Sequence, residues 1–225
     1  MATMTDRRHA NFAWDYDRGE IIADGVVHVI GVGLGLAGAI ALVAFAANTT
    51  NAFQLSSILI YIVGLLSMLG FSAAYNMWPL SGAKWILRRF DHSAIFVMIA
   101  GTYTPFIAQM NIGVVSLTLL FGVWLTASIG IALKMLLPGR YDRAAVVLYL
   151  LLGWSGAMAY QTVASALPNM SLYLIAAGGA LYSTGVIFHS WQSLRFQNAI
   201  WHLFVLFAAG CHYSAILYCV ANANA

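Results

Sequence analysis

Residues 25–83 read GVVHVIGVGLGLAGAIALVAFAANTTNAFQLSSILIYIVGLLSMLGFSAAYNMWPLSGA, fifty-nine residues without one Asp, Glu, Lys or Arg. A membrane-spanning helix needs about 20 apolar residues. This run therefore holds two, divided at the turn-forming Asn48-Thr49-Thr50-Asn51. The same arithmetic applies downstream. Charge-free runs cover 92–133 (42 residues), 144–194 (51 residues) and 196–225 (30 residues). The first two each hold two spans, broken at Gln109-Met110-Asn111-Ile112-Gly113 and at Ala166-Leu167-Pro168-Asn169. The last holds one. The expectation is an all-α bundle of seven transmembrane helices, near 20–46, 53–77, 90–110, 114–136, 143–164, 170–189 and 198–221.

The composition agrees. The chain of 225 residues is 62% hydrophobic and 8% charged, against about 25% charged in soluble domains. Its mean hydropathy is +0.83. A soluble enzyme, a disordered tail and a disulfide-rich secreted module are excluded. The formal net charge is +3, with too few and too scattered cations for a nucleic-acid surface. Membrane lipids are the expected partners. Cys211 and Cys219 lie in an apolar stretch and read as small buried hydrophobes.

All ten basic residues fall on one side of this arrangement. Arg7, Arg8 and Arg18 precede the first helix, and Lys84, Arg88 and Arg89 lie between the second and third. Lys134, Arg140 and Arg143 flank the next turn on that side, and Arg195 precedes the seventh helix. Lys and Arg are retained in the cytoplasm, so the N-terminus is expected inside and the C-terminus outside. Residues 1–19 read as a cytoplasmic segment and 20–225 as one transmembrane domain. With Asp6, Asp15, Asp17, Trp14 and Tyr16 and no apolar core, the first residues do not resemble a signal peptide. A short amphipathic stretch on the inner leaflet is expected there.

Ionisable groups at membrane depth are costly and point to function. Glu20, Asp24 and His28 recur at intervals of four, which stacks them on one face of the first helix. Ser72 and Asn76 end the second helix, Asp91 and His92 begin the third, and His189 ends the sixth. Asn198 and His202 lie a turn apart on the seventh, with His212 deeper. Up-and-down topology brings Glu20, Asp24, Asn76, Asp91, His92, His189, Asn198 and His202 to a similar depth in the inner leaflet, with His28 about a turn deeper and His212 near the outer half. Clustered His and carboxylate groups suit a metal ion such as zinc or a proton relay. Plainer readings stand beside this one. His92 and His189 would anchor at the interface or bond a carbonyl, Asp91 would pair with Arg88 or Arg89, and His212 would make one structural hydrogen bond. Gly31 and Gly35 form a small-residue packing face rather than a nucleotide loop. No G-x-S-x-G, Walker loop, H-E-x-x-H or C-x-x-C occurs.

Two segments carry a family resemblance. Asp91-His92-Ser93-Ala94-Ile95-Phe96, continuing through Ala100-Gly101-Thr102-Tyr103-Thr104-Pro105-Phe106, resembles the haemolysin III family, as does Ala199-Ile200-Trp201-His202-Leu203-Phe204-Val205-Leu206. These proteins are bacterial relatives of the progestin and adipoQ receptors, with alkaline ceramidases as more distant kin. The resemblance runs from Glu20 to about Leu217. It implies a seven-helix bundle with a cytoplasmic N-terminus in the bacterial plasma membrane. It also implies a zinc site. Ser72 matches the family's serine, Asp91 the aspartate that holds the zinc-bound water, and His202 the second histidine of the last helix. Asn76 and Asn198 occupy the other two ligand positions. Glu20 and His28 match a stripe on the first helix in which Asp24 replaces an asparagine.

By this resemblance the metal set is His202, Asp91, Asn198 and Asn76, and the catalytic pair is Asp91 and Ser72. The departures matter, because an amide oxygen is a much weaker zinc donor than imidazole. The site then binds no metal, or recruits His92, His189, Asp24 or His28, or takes a harder ion through oxygens. Three functions stay open. A lipid-related sensor or regulator of membrane state needs only the polar site. A metal-dependent lipid amide hydrolase needs a water activator such as Asp91. A pore would run along Glu20, Asp24 and His28.

Overall fold

The computed structural model describes residues 16–110 and 113–222. Among the described residues the fold is all-α, built from α1 (Arg18–Thr49), α2 (Ala52–Met77), α3 (Gly82–Gln109), α4 (Val114–Leu136), α5 (Asp142–Ala166), α6 (Asn169–Ser190) and α7 (Gln197–Asn222). Six of the seven are long and apolar enough to cross a membrane. The exception, α3, opens with Lys84, Arg88, Arg89 and Asp91. Its 28 residues span about 42 Å at 1.5 Å per residue, so its charged first turns extend past a hydrocarbon core of about 30 Å. The expected inner-leaflet stretch over residues 1–15 lies outside the described residues.

Local chemistry sets the starts. Asp17 caps α1 in a reciprocal box: its carboxylate accepts the Glu20 amide at 2.9 Å, and the Glu20 carboxylate accepts the Asp17 amide at 2.9 Å. Asn51 and Gln54 repeat the device at α2. The third helix was expected from 90 and begins at Gly82, so Lys84, Arg88 and Arg89 are helical rather than loop residues. The reason is a closed turn. Lys84 Nζ donates to the carbonyls of Asn76 and Trp78 at 3.3 and 2.9 Å, capping the end of α2 from the first turn of α3.

The fifth span is not a continuous α-helix. Ser155–Ala159 winds as a 3₁₀ turn between Asp142–Trp154 and Tyr160–Ala166. Tyr103 of α3 stitches the break. Its hydroxyl accepts the Gly156 amide at 2.8 Å and lies 2.8 Å from the Gly153 carbonyl and 3.1 Å from that of Leu152.

Packing forms two apolar clusters. The larger joins α1, α2, α3, α6 and α7 around Leu42, Ile58, Tyr61 and Ile216, and the smaller joins α3, α4 and α5 around Phe96, Val123 and Ala127. Helices α2 and α3 approach backbone to backbone: a Cβ on Gly64 would meet the Val97 carbonyl at 3.0 Å. Gly31 and Gly35 pack on Leu69 as expected of a small-residue face. Both cysteines are free; Cys219 is buried and Cys211 half-buried.

Candidate polar site between α1, α2 and α7

Three helices meet where their polar residues share a face. On α1, Asp24 and His28 are one turn apart and both buried. On α2, Ser72 and Asn76 have the same spacing, as do Asn198 and His202 on α7. Side chains four apart on a helix project together, so each helix contributes a pair.

The six groups form a closed network. His202 Nδ1 lies 2.6 Å from Asp24 Oδ1. Asn198 Nδ2 donates to Asp24 Oδ2 at 2.9 Å and to Asn76 Oδ1 at 3.1 Å. Asn76 Nδ2 donates to the Ser72 carbonyl at 2.9 Å and lies 3.4 Å from its hydroxyl. Ser72 Oγ then stands 3.4 Å from His202 Nε2, which closes the ring. His28 joins from the side, its Nε2 3.5 Å from Asp24 Oδ2 and its ring centroid 4.3 Å from that of His202.

This geometry assigns a tautomer. Asp24 is offered the Asn198 amide and faces two imidazoles, which favours its ionised, acceptor-only form. The proton on His202 is therefore at Nδ1, donated to Asp24. Nε2 is left with its lone pair toward Ser72. His28 Nε2 is buried with no hydrogen-bond partner.

Asp24, His28 and His202 each offer a ligand atom, all within 4.8 Å of one another, so this group could hold a metal ion. Two imidazoles and a carboxylate suit a zinc-class ion, and the orphaned nitrogen of His28 gives it a free donor. Asn76 and Asn198 instead spend their amides on the ring. A cavity of about 30 Å³ adjoins the group, lined by His28, Ser72 and His202 and walled by Met68, Leu69, Val205 and Leu206. That is room for one water or one ion.

Of the remaining expected residues, Asp91 stays next to the ring and the others are placed elsewhere. Asp91 lies beside Ser72 and near Arg88. Glu20 belongs to the α1 cap, and its second oxygen accepts the Phe196 amide at 2.9 Å, tying α1 to the turn before α7. His92 faces away, 3.8 Å from Asp142, while its carbonyl accepts the Tyr149 hydroxyl at 2.8 Å. His189 packs on Trp201 at 5.0 Å. His212 stacks on Tyr182 at 5.8 Å in the other half of the bundle, with Nδ1 unpartnered.

A second charged cluster escaped the sequence reading. Asp142 receives Arg88 Nη2 at 2.5 Å and Lys134 Nζ at 2.6 Å, both cations being buried. The signal was available: Asp142 is the only acidic residue after Asp91, and it sits among Lys134, Arg140 and Arg143.

Comparison with known proteins agrees with this architecture. A family model described as haemolysin-III related matches residues 20–213. The chain is 37% identical over 202 residues to the hemolysin-3 homolog of Bacillus subtilis (strain 168), covering 89% of this chain and 95% of that one. It is 33% identical over 201 residues to hemolysin-3 of Bacillus cereus, covering 89% and 92%. The human monocyte to macrophage differentiation factor is 31% identical over 163 residues, covering 70% and 67%. No solved structure matches the chain.

Proposed function

The chain belongs to the haemolysin-III related family of multi-pass membrane proteins, and from that premise we propose that it is a lipid-related regulator of membrane state acting through a metal-type site. The observation that carries this reading is the buried Asp24–His28–His202 group beside an apolar-walled cavity. Asp24, His28 and His202 would hold a divalent ion of the zinc class, which would supply a positive charge binding α1 to α7. The side chains do the rest: Asp24 orients His202, and Asn76 and Asn198 hold Asp24 in place. Met68, Leu69, Val205 and Leu206 wall the small adjoining cavity with apolar side chains. The proposed setting is a bacterial plasma membrane with the N-terminus inside.

Elemental mass spectrometry of detergent-purified protein, after metal-supplemented growth, tests the site. Near-stoichiometric zinc in the wild type, lost in Asp24→Ala and His202→Ala, is expected. No metal in the wild type rejects the metal. Lipid analysis tests the role. Expression should change membrane lipid composition, and Asp24→Ala should abolish that change without loss of protein. An unchanged composition rejects the regulator.

A metal-dependent amide hydrolase is the second reading, favoured by Asp91 lying beside Ser72. It requires turnover of a ceramide-like lipid that stops with Asp91→Ala, whereas the regulator keeps its lipid binding in that variant.

A further inference from the structure

Charge is spread unevenly around the end of the bundle that carries the polar ring. On the α1 and α7 side, Arg18 and Arg195 stand among Asp17, Glu20 and Asp24, and Arg195 pairs with Asp17 at 3.2 Å. Around the α2–α3 and α4–α5 turns, six basic residues meet only two acids, Asp91 and Asp142. Asp142 is taken by Arg88 and Lys134, and Asp91 lies beside Ser72 at the ring. Among the described residues no carboxylate pairs with Arg89, Arg140 or Arg143. From this imbalance we propose that the α3, α4 and α5 side of this end is a docking surface for an anionic phospholipid, its phosphate held by Arg89, Arg140 and Arg143. The inference goes beyond the regulatory reading, lies on a different face from the Asp24–His28–His202 group and needs no metal.

One junction gathers these cations. Asp142 draws Arg88 from α3 and Lys134 from α4 onto the first residue of α5, so Arg89 and Arg143, the next residues along, are held at the same place. Arg89 donates Nη1 to the Met135 carbonyl near the end of α4 at 3.2 Å, and its Nε has no acceptor. Arg140 and Arg143 are exposed, and the Arg140 guanidinium stands over the Tyr141 ring at 5.1 Å. A guanidinium is planar, always charged and matched to phosphate by paired N–H donors. Like charges gathered at one junction repel, and an anion among them relieves that repulsion.

The occupant follows from what flanks the cations. Leu136 is 77% exposed, and Leu133, Leu137 and Tyr141 are exposed beside it. In a membrane, leucines at the last turn of α4 face acyl chains, and a tyrosine there sits at headgroup level. Cations above an apolar flank match a phosphate above its chains, whereas a soluble acidic peptide would leave the flank uncovered. A zwitterionic headgroup brings its own ammonium into a cluster that is already cationic. The surface therefore selects lipids of net negative charge, as basic sites between transmembrane helices do.

The test is native mass spectrometry of the full-length protein, delipidated in neutral detergent and offered phosphatidylglycerol and phosphatidylcholine in equal amounts, with glycerol phosphate as the soluble headgroup control. The wild type should retain phosphatidylglycerol in preference, and less of it as salt rises. At about fivefold per cation, Arg140→Gln/Arg143→Gln should weaken retention about 25-fold, and the triple variant with Arg89→Gln roughly a hundredfold. Both should keep the wild-type melting temperature. The double variant changes only exposed side chains, and it decides the matter if loss of the Arg89 bond to Met135 unfolds the triple. Arg18→Gln/Arg195→Gln removes as many cations from the other side of the same end and should retain the lipid as the wild type does. Equal retention of the two lipids, an equal loss in both double variants, or retention of glycerol phosphate in place of lipid overturns the inference.

Discussion

Asp142 is half-exposed, yet it answers two cations that are almost wholly buried: the side chains of Arg88 and Lys134 are 7% and 5% accessible, that of Asp142 32%. Removing one partner of a buried pair leaves an uncompensated charge and costs about 3–5 kcal/mol. Solvent reaching Asp142 lowers that figure, so Asp142→Asn should destabilise the protein by roughly 2–3 kcal/mol, read as a fall in unfolding midpoint in detergent. The double variant Asp142→Asn/Lys134→Met should be more stable than Asp142→Asn alone, because it removes one stranded cation. A double variant less stable than the single would show that Lys134 has other buried duties. The same scale shows how far single residues could be read from sequence. The spacing of Ser72 with Asn76 and of Asn198 with His202 placed four members of the ring. The choice among acids and histidines was not legible, because it depends on azimuth around each helix axis. Asp91 and His92 are neighbours in sequence but about 100° apart on a 3.6-residue helix, so one lies beside Ser72 and the other turns to Asp142. Asp24 and His28 share a face, which is why both reach His202.

At the level of the helix, gaps between charges counted the elements correctly and mislaid two of their details. Charge-gap counting treats a charge as loop, which shortens the expected third helix by two turns at Lys84, Arg88 and Arg89. In fact long basic side chains suit a helix end that leaves the hydrocarbon, where their stems pack and their heads find carbonyls or carboxylates. The break in α5 was also unread, although Ser155-Gly156 is the kind of pair at which helices kink. What fixes the break is Tyr103, forty-nine residues from the nearest carbonyl it meets, a partner no local pattern reveals. Backbone groups freed inside a bilayer have no water to turn to; the Tyr103 hydroxyl meets three of them, while the Leu152 carbonyl also accepts the Ser155 amide and lies 2.8 Å from the Ser155 hydroxyl. Tyr103→Phe takes away the acceptor of the Gly156 amide, at about 1–3 kcal/mol for an unsatisfied group away from water. The expected result is a lower unfolding midpoint with faster amide exchange confined to residues 153–159. Exchange that rises evenly along the chain would instead mean that Tyr103 acts only through packing.

For the whole molecule, the alternation of seven helices puts every described basic side chain at one end of the bundle: Arg18, Lys84, Arg88, Arg89, Lys134, Arg140, Arg143 and Arg195 flank the starts of α1, α3, α5 and α7 or the ends of α2, α4 and α6. The polar ring lies toward that same end, since Glu20 of the α1 cap meets the turn before α7 and Lys84 meets the end of α2. Orientation in the membrane therefore decides which compartment the Asp24–His28–His202 group samples. The excess of Lys and Arg on short loops is the ground for the proposed orientation, with that end in the cytoplasm. Cysteine accessibility in a background with Cys211 and Cys219 replaced by Ala reads the orientation directly. Leu80 and Val114 are both well exposed, at opposite ends of the bundle. Val114→Cys should react with a membrane-impermeant maleimide in intact cells from which any outer barrier has been removed. Leu80→Cys should react only after the plasma membrane is opened. The reverse pattern would put the polar ring on the outside, where it would sample external ions and outer-leaflet lipid. The proposed setting, with the N-terminus and the polar ring inside, would then fail even if the metal were present.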